Sequence, residues 1–369
     1  MKQTGYCSHI SIHATLNRQS GVILLLVLWV LVLLSVVAAE FCRVMRTEAN
    51  ISVNQRELTH AYYTAIGGLN LAIDQILTRG AAPVSETKET EKRGQIKWRV
   101  NADIPPFPLG NGIAQVSIDN EGGKVNINMA DELLLRMLVG RLKIPAQERK
   151  IIVESILDWR DTDSFHRLNG AENAYYASMP VPYFCKNGDF DSVEELLLVR
   201  GITPEIFKKG FAGLVTVYPS RKKAEMELGW KEATEMGLKD FDFSKINLNA
   251  APRELLMALP SFKAETVDAI LEWRQTEDFK TYGDFIDVVG YNTFLATMNY
   301  VTLAWSPYYR ITASGFAESG HARRTVGAVV RIDLKSDEKY HIVQWFDNMT
   351  DPVSEIEKSG QAAARTEQP

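Results

Sequence analysis

Gly21 to Ala39 reads GVILLLVLWVLVLLSVVAA, nineteen residues without a charge. At about 1.5 Å per residue such a run spans roughly 28 Å as a helix, close to the hydrocarbon thickness of a bilayer. The apolar pattern continues past it. Leu58, Ala61, Tyr62, Ala65, Leu69, Ala72 and Ile76 recur at three- and four-residue spacing and mark one helix face. No proline lies between Gly21 and Thr78. The pattern predicts a single helix about 80 Å long, softened at Gly67-Gly68. A secretory signal peptide usually has an apolar region of only about 7–15 residues, so this span reads as a retained anchor.

Beyond the helix, Gly80–Gly94 is polar and bounded by glycine and proline, which reads as a linker. Strand-like runs follow at Ile96–Val100 and Ile113–Ile118, the latter apolar at Ile113, Val116 and Ile118. Asp119–Gly123 is a turn cluster. Near the far end, Tyr309–Ser314, Thr325–Leu334 and Tyr340–Phe346 are further strand-like runs, separated by turns at Gly315–His321 and Lys335–Lys339. Asn348–Pro369 is polar and reads as a disordered tail. Residues 124–300 carry a helical signal instead. Since chain neighbours usually pair, the first and last strands are expected to share one small antiparallel sheet, with the helical block inserted into it. The fold class expected is α+β.

The helical block repeats itself. One copy spans 125–160, from Val125-Asn126-Ile127-Asn128-Met129-Ala130 to Ile156-Leu157-Asp158-Trp159-Arg160. The other spans 246–274, from Ile246-Asn247-Leu248-Asn249-Ala250-Ala251 to Ile270-Leu271-Glu272-Trp273-Arg274. Asn128 and Asn249 are placed to cap the helices that follow, with Pro252 near a first turn. Trp159 and Trp273 are expected to anchor the core.

The net charge of −5 gives no basic bias towards nucleic acid. Cys7, Cys42 and Cys185 have neither disulfide-framework nor zinc spacing and read as free thiols. The six histidines are scattered, and no G-x-S-x-G, P-loop, H-E-x-x-H or G-x-G-x-x-G string is present, so enzymatic chemistry is not expected. One acidic cluster is notable. Asp158, Asp161, Asp163 and Glu172 lie where helix gives way to loop, and Asp189, Asp191 and Glu194 follow at second rank. Such a cluster is either a solvated acidic turn or a site for a hard cation, which takes several oxygen ligands. Asp191-Ser192 with Glu194-Glu195 also reads as the acidic opening of a helix.

Two resemblances rest on these residues. Arg18-Gln19-Ser20-Gly21 followed by Val22-Ile23-Leu24-Leu25 resembles a type IV prepilin-type leader, residues 1–21. It implies cleavage by a prepilin peptidase between Gly21 and Val22, with methylation of the new N-terminus, where Val22 replaces the usual phenylalanine. It also implies a glutamate at the fifth position after the cut, where this chain has Leu26. An unpaired carboxylate in lipid is costly, and a subunit at a filament tip has no neighbour above it to pair with.

The whole series is similar to the type II secretion system protein K family, the largest minor pseudopilins. It runs through the leader, the strand pair, the Asn-x-Asn repeats, Asp158-Trp159-Arg160-Asp161-x-Asp163, Gly170-Ala171-Glu172, Phe190-Asp191-Ser192 and the terminal strands. The similarity implies a pilin-like body made of the helix 22–79 with the sheet 94–123 and 301–347, and an insertion at 124–300. It implies a single-pass inner-membrane protein, its short N-terminus cytoplasmic and its bulk periplasmic. It implies a structural role at the pseudopilus tip, initiating assembly for protein export, with other minor pseudopilins and inner-membrane secretion components as partners. It tilts the acidic cluster towards calcium. The alternative is a membrane-tethered DNA-uptake protein, because the repeats also resemble helix-hairpin-helix modules. Against that, neither hairpin, Leu138–Leu142 nor Leu259–Lys263, has the paired glycines that hold a phosphate.

Overall fold

The absence of a breaker from Gly21 onward has its expected consequence in a computed structural model of the chain. Residues Gln19–Arg79 form one helix, α1. The structure describes residues 19–79, 98–102, 104–220, 242–320, 322–334 and 336–347. The leader before Gln19, the linker Gly80–Gly94 and the tail Asn348–Pro369 lie outside the described residues. The chain divides into two units, one ending at Thr59 and one starting at His60. In the first, helical residues 21–56 are exposed throughout. Among the described residues one helix is long and apolar enough to cross a membrane, with an apolar stretch of mean hydropathy 3.2.

In the second unit the last turns of α1 bury Ala61, Ala65, Leu69, Ala72, Ile73 and Ile76. They lie on a sheet of β1 (Phe107–Leu109), β2 (Gly112–Asn120), β7 (Tyr308–Phe316), β8 (Arg323–Ile332) and β9 (Tyr340–Phe346), antiparallel throughout and in that order. The softening expected at Gly67-Gly68 does not occur. α1 passes through both glycines, and at Gly68 the sheet lies close, since a Cβ there would sit 3.2 Å from Ala114 and Val116. The alternation of β2 also needs correction. Ala114, Val116 and Ile118 face the helix, whereas Ile113 is half exposed, because side chains alternate and positions 113 and 116 cannot share a face. Of Ile96–Val100, Ile96 and Lys97 lie outside the described residues and Trp98–Val100 is not strand. Trp98 packs edge-on against Phe107, ring centroids 5.3 Å apart. The edge strand β1 instead starts right after Pro105-Pro106, which supply no ladder donors.

β2 and β7 are hydrogen-bonded neighbours, yet 121–307 lies between them in sequence. This segment has its own core, distinct from the one beneath α1. Its described part is two copies of one unit. The first has β3 (Val125–Asn126), α2 (Glu132–Gly140), α3 (Ala146–Arg160), a short helix α4 (Asn173–Tyr176), a 3₁₀ helix (Val193–Leu198), α5 (Pro204–Gly210) and β4 (Val215–Thr216). The second has β5 (Ile246–Asn247), α6 (Arg253–Leu256), α7 (Ala264–Thr276), α8 (Tyr282–Val289), α9 (Tyr291–Thr297) and β6 (Val301–Thr302). The opening strand pairs in parallel with the closing strand in both, Asn126 beside Thr216 and Asn247 beside Thr302. The repeat therefore extends beyond 125–160 and 246–274, and its helix pairs are parts of a closed strand–helices–strand unit.

The asparagines do not cap the next helices. Asp131 caps α2, accepting from the backbone of Leu134, and Pro252 precedes α6. Asn128 is wholly buried and brackets the far side of its unit. Its amide donates to the carbonyls of Phe190 and Val217, both at 3.1 Å, and its oxygen accepts the N–H of Phe190 at 2.8 Å. Asn249 repeats this on Phe279, at 3.0 and 2.8 Å. A buried asparagine that pairs with both the N–H and the C=O of one residue satisfies polar atoms that would otherwise be stranded. The other landmarks agree. Trp159 stacks on Phe190 and Trp273 on Phe279. Arg160 donates to the carbonyl of Ala130 at 2.6 Å, Arg274 to that of Ala251 at 2.7 Å.

Candidate metal centre on the first repeat

The two units differ most between the arginine that ends the long helix and the phenylalanine bracketed by asparagine. In the second unit only residues 275–278 lie between Arg274 and Phe279. In the first, residues 161–189 lie between Arg160 and Phe190. The acidic cluster is in this extra loop.

Aromatic packing fixes the loop. Trp159 meets Tyr176 edge-on at 5.2 Å and Tyr183 at 6.4 Å. Asn173 accepts the backbone N–H of Cys185 at 2.8 Å. Glu154 on α3 takes two bonds from Asn169, backbone at 2.7 Å and side chain at 3.0 Å. Gly170 is needed for close approach, since a Cβ there would lie 1.8 Å from Asp158 Oδ2. Arg200 closes the loop from outside, donating to the Gly170 carbonyl at 3.0 Å.

Inside this frame Asp161, Asp163 and Glu172 each offer an oxygen within 4.8 Å of the others. Both oxygens of buried Glu172, and Oδ1 of Asp161, have no hydrogen-bond partner. Buried carboxylate oxygens left unpaired are costly, so the three residues fit a hard cation that accepts only oxygen. Burial pushes Glu172 above the usual carboxylate range, and the charges of Asp161 and Asp158 push it further. Burial and the adjacent Glu172 drive the Cys185 thiol up to about 12, so Cys185 is an inert thiol and not a nucleophile. Cys42 and Cys185 are both free.

Asp158 stands apart from the other three. Its fully buried side chain is paired with Arg167 at 2.5 Å, and the same guanidinium nitrogen reaches Asp161 at 2.7 Å. Burial raises Asp158 above its ordinary value despite the bonds from Arg167. The second-rank candidates stay outside the cluster. Asp191 pairs with Lys186 at 2.7 Å, Glu194 lies in the first turn of the 3₁₀ helix, and Asp189 is not gathered with them. Arg167, Gly170 and Cys185 were not legible as site residues. The one available signal for Gly170 was its place ahead of Ala171-Glu172.

A family model described as "Type II secretion system (T2SS), protein K" matches residues 114–220, which take in most of β2, the whole first repeat and the acidic loop. The chain is 28% identical over 210 residues to the type II secretion system protein K of Pectobacterium carotovorum subsp. carotovorum, covering 52% of this chain and 61% of that one. It is 24% identical over 225 residues to the protein of that name from Aeromonas hydrophila, covering 56% and 66%. The chain thus spans less than two thirds of the length of these two relatives. A chain in the crystal structure of the GspK-GspI-GspJ complex of the enterotoxigenic Escherichia coli type 2 secretion system superposes with a TM-score of 0.57 at 17% identity, over 81% of this chain and 99% of that one. That likeness shows a shared fold.

Proposed function

We propose, from its similarity to the type II secretion system protein K family, that the chain is a minor pseudopilin at the tip of the pseudopilus. There it initiates assembly and takes no part in chemistry. One observation carries this reading: the long segment 121–307 leaves and re-enters the sheet between the paired strands β2 and β7. A body with that bulk on one end presents no surface on which a like body could stack. Leu26 agrees with it, since a tip subunit has no partner for a carboxylate at that depth. The apolar part of α1 anchors the chain in the inner membrane, with the body on the periplasmic side. There it packs against the corresponding helices of other minor pseudopilins. The matches give the DNA-uptake reading no support.

In this reading a prepilin peptidase cuts between Gly21 and Val22 and the new N-terminus is methylated. N-terminal sequencing of the membrane-bound form is expected to start at Val22. A start after Ala39, or an intact Met1, removes the pilin-type reading.

The loop is read as a structural calcium site held by Asp161, Asp163 and Glu172. Calcium there neutralises carboxylates whose repulsion otherwise opposes folding. Glu154, Asn169 and the aromatic packing on Trp159 orient the ligands. A ligand bound to the folded state alone stabilises it by roughly 2.7 kcal/mol at a hundredfold excess over Kd. Thermal melting of the detergent-solubilised chain should therefore rise between chelator and millimolar calcium. The double variant Asp161→Asn, Asp163→Asn should lose most of that rise. Equal wild-type melting temperatures in the two buffers would leave the loop as a solvated turn.

A further inference from the structure

Arg167 stands between the buried carboxylate and the open cluster. Its Nη1 lies 2.5 Å from Oδ1 of Asp158 and 2.7 Å from Oδ2 of Asp161. Its backbone N–H also points at Asp158, 3.3 and 3.1 Å from the two carboxylate oxygens. Asp161 faces two ways. Oδ2 is on the guanidinium, while its other oxygen has no donor and the residue gathers with Asp163 and Glu172. Glu172 is only 4% exposed, and neither of its oxygens has a hydrogen-bond partner. The guanidinium therefore contacts two of these four carboxylates, Asp158 and Asp161.

We propose that Arg167 is the resident cation of this site. It bridges Asp158 and Asp161 while no metal is held, and it releases Asp161, but not Asp158, when the site is loaded with calcium. This rests on the calcium reading above. Asp158 keeps the guanidinium because it is fully buried and because the backbone of Arg167 is already bonded to it. Asp161 is the contested ligand, since two cations sharing one carboxylate repel each other. Little packing opposes the movement: the neighbouring Phe165 and Leu168 are 84% and 93% exposed. The arrangement has two consequences. The loop keeps its shape without metal, and the apparent affinity for calcium is reduced by the fraction of molecules in which Arg167 still occupies Asp161.

The test is calorimetric titration of calcium into the full-length detergent-solubilised chain, with melting in chelator as the second readout. Arg167→Gln removes the competing cation and should bind calcium about tenfold more tightly, within the usual range for coupled sites. Its melting temperature in chelator should fall, because Asp158 loses its counter-ion. Arg167→Lys keeps a charge for Asp158, but its nitrogen lies one bond nearer the backbone than Nη1 and should not reach Asp161 as well, so it should also bind more tightly. It decides the matter alone if Arg167→Gln does not fold. A wild type that binds calcium, with variants no tighter, overturns the proposal and leaves the calcium reading standing. So does a gain in Arg167→Gln with none in Arg167→Lys, which would be a general field effect. If wild type and both variants fail to bind, both readings fall. A wild type that does not bind beside a variant that does supports the resident cation in its strongest form.

Discussion

Replacing Gly315 with alanine is expected to destabilise the helix-and-sheet body by roughly 3 kcal/mol, the upper end of what overpacking costs. Gly315 is on β7 directly beneath α1, and a Cβ there would lie 2.0 Å from the carbonyl oxygen of Ala61 and 2.5 Å from the nitrogen of Ala65. Both are main-chain atoms of a helix, so no side chain can swing away to make room. α1 cannot retreat cheaply, because Ala65, Leu69 and Ala72 are fully buried against the same sheet. For the unit His60–Pro369 the melting temperature should drop by roughly 5 °C. Gly140, the last residue of α2, is the control, since nothing lies within 4 Å of a Cβ there. Its alanine variant should change stability by no more than about 1 kcal/mol, in the favourable direction. Equal effects at the two glycines would mean that α1 does not rest on β7 at this depth.

Removing the carboxylate of Glu121 is expected to cost roughly 3–5 kcal/mol, because it strands two partly buried cations. Glu121 follows the last residue of β2 and its side chain is wholly buried. It accepts from Lys124 at 2.7 Å and from Arg310 on β7 at 2.9 Å. Beside it Asn120 donates to the Ser306 carbonyl at 2.8 Å. These bonds tie the two ends of the insert together where they leave the sheet. Burial alone would raise the pKa of Glu121, but Lys124 and Arg310 outweigh it and hold the carboxyl down from 4.5 to about 2. A carboxyl depressed in the folded state adds stability that is complete above its unfolded pKa and is lost as pH falls through the folded one. The window here is pH 4.5 down to about 2, and the loss is roughly 3 kcal/mol. Denaturant unfolding across that window should show it in the wild type. Glu121→Gln should be weaker at neutral pH and should lack this part of the acid loss. A Glu121→Gln protein as stable as wild type at neutral pH would show that the pair does not hold the insert.

Local chemistry was legible where it is periodic. The alternating face of α1, the three terminal strands and the doubled Asn-x-Asn opening follow from spacing alone. The same spacing gave Asn128 the wrong partner. A cap and a long-range bracket both need a short amide ahead of a helix, and only the fold reveals that Phe190, 62 residues on, takes the bond. The closing strands Val215–Thr216 and Val301–Thr302 are too short to carry a pattern, so the true length of the repeat was hidden. In the acidic loop the three gathered carboxylates were on the page as sequence. The pairing of Asp158 with Arg167 was not, because a lone arginine in a loop is ordinary until its partners are known to be buried.

The tip position is tested most directly by immunogold electron microscopy. Filaments are isolated from cells carrying the complete secretion system and labelled with antibody against the 124–300 insert. A subunit whose bulk blocks stacking gives gold at one end of a filament and none along its shaft. Gold spaced along the shaft would mean that bodies stack past the insert, and the tip reading would be wrong.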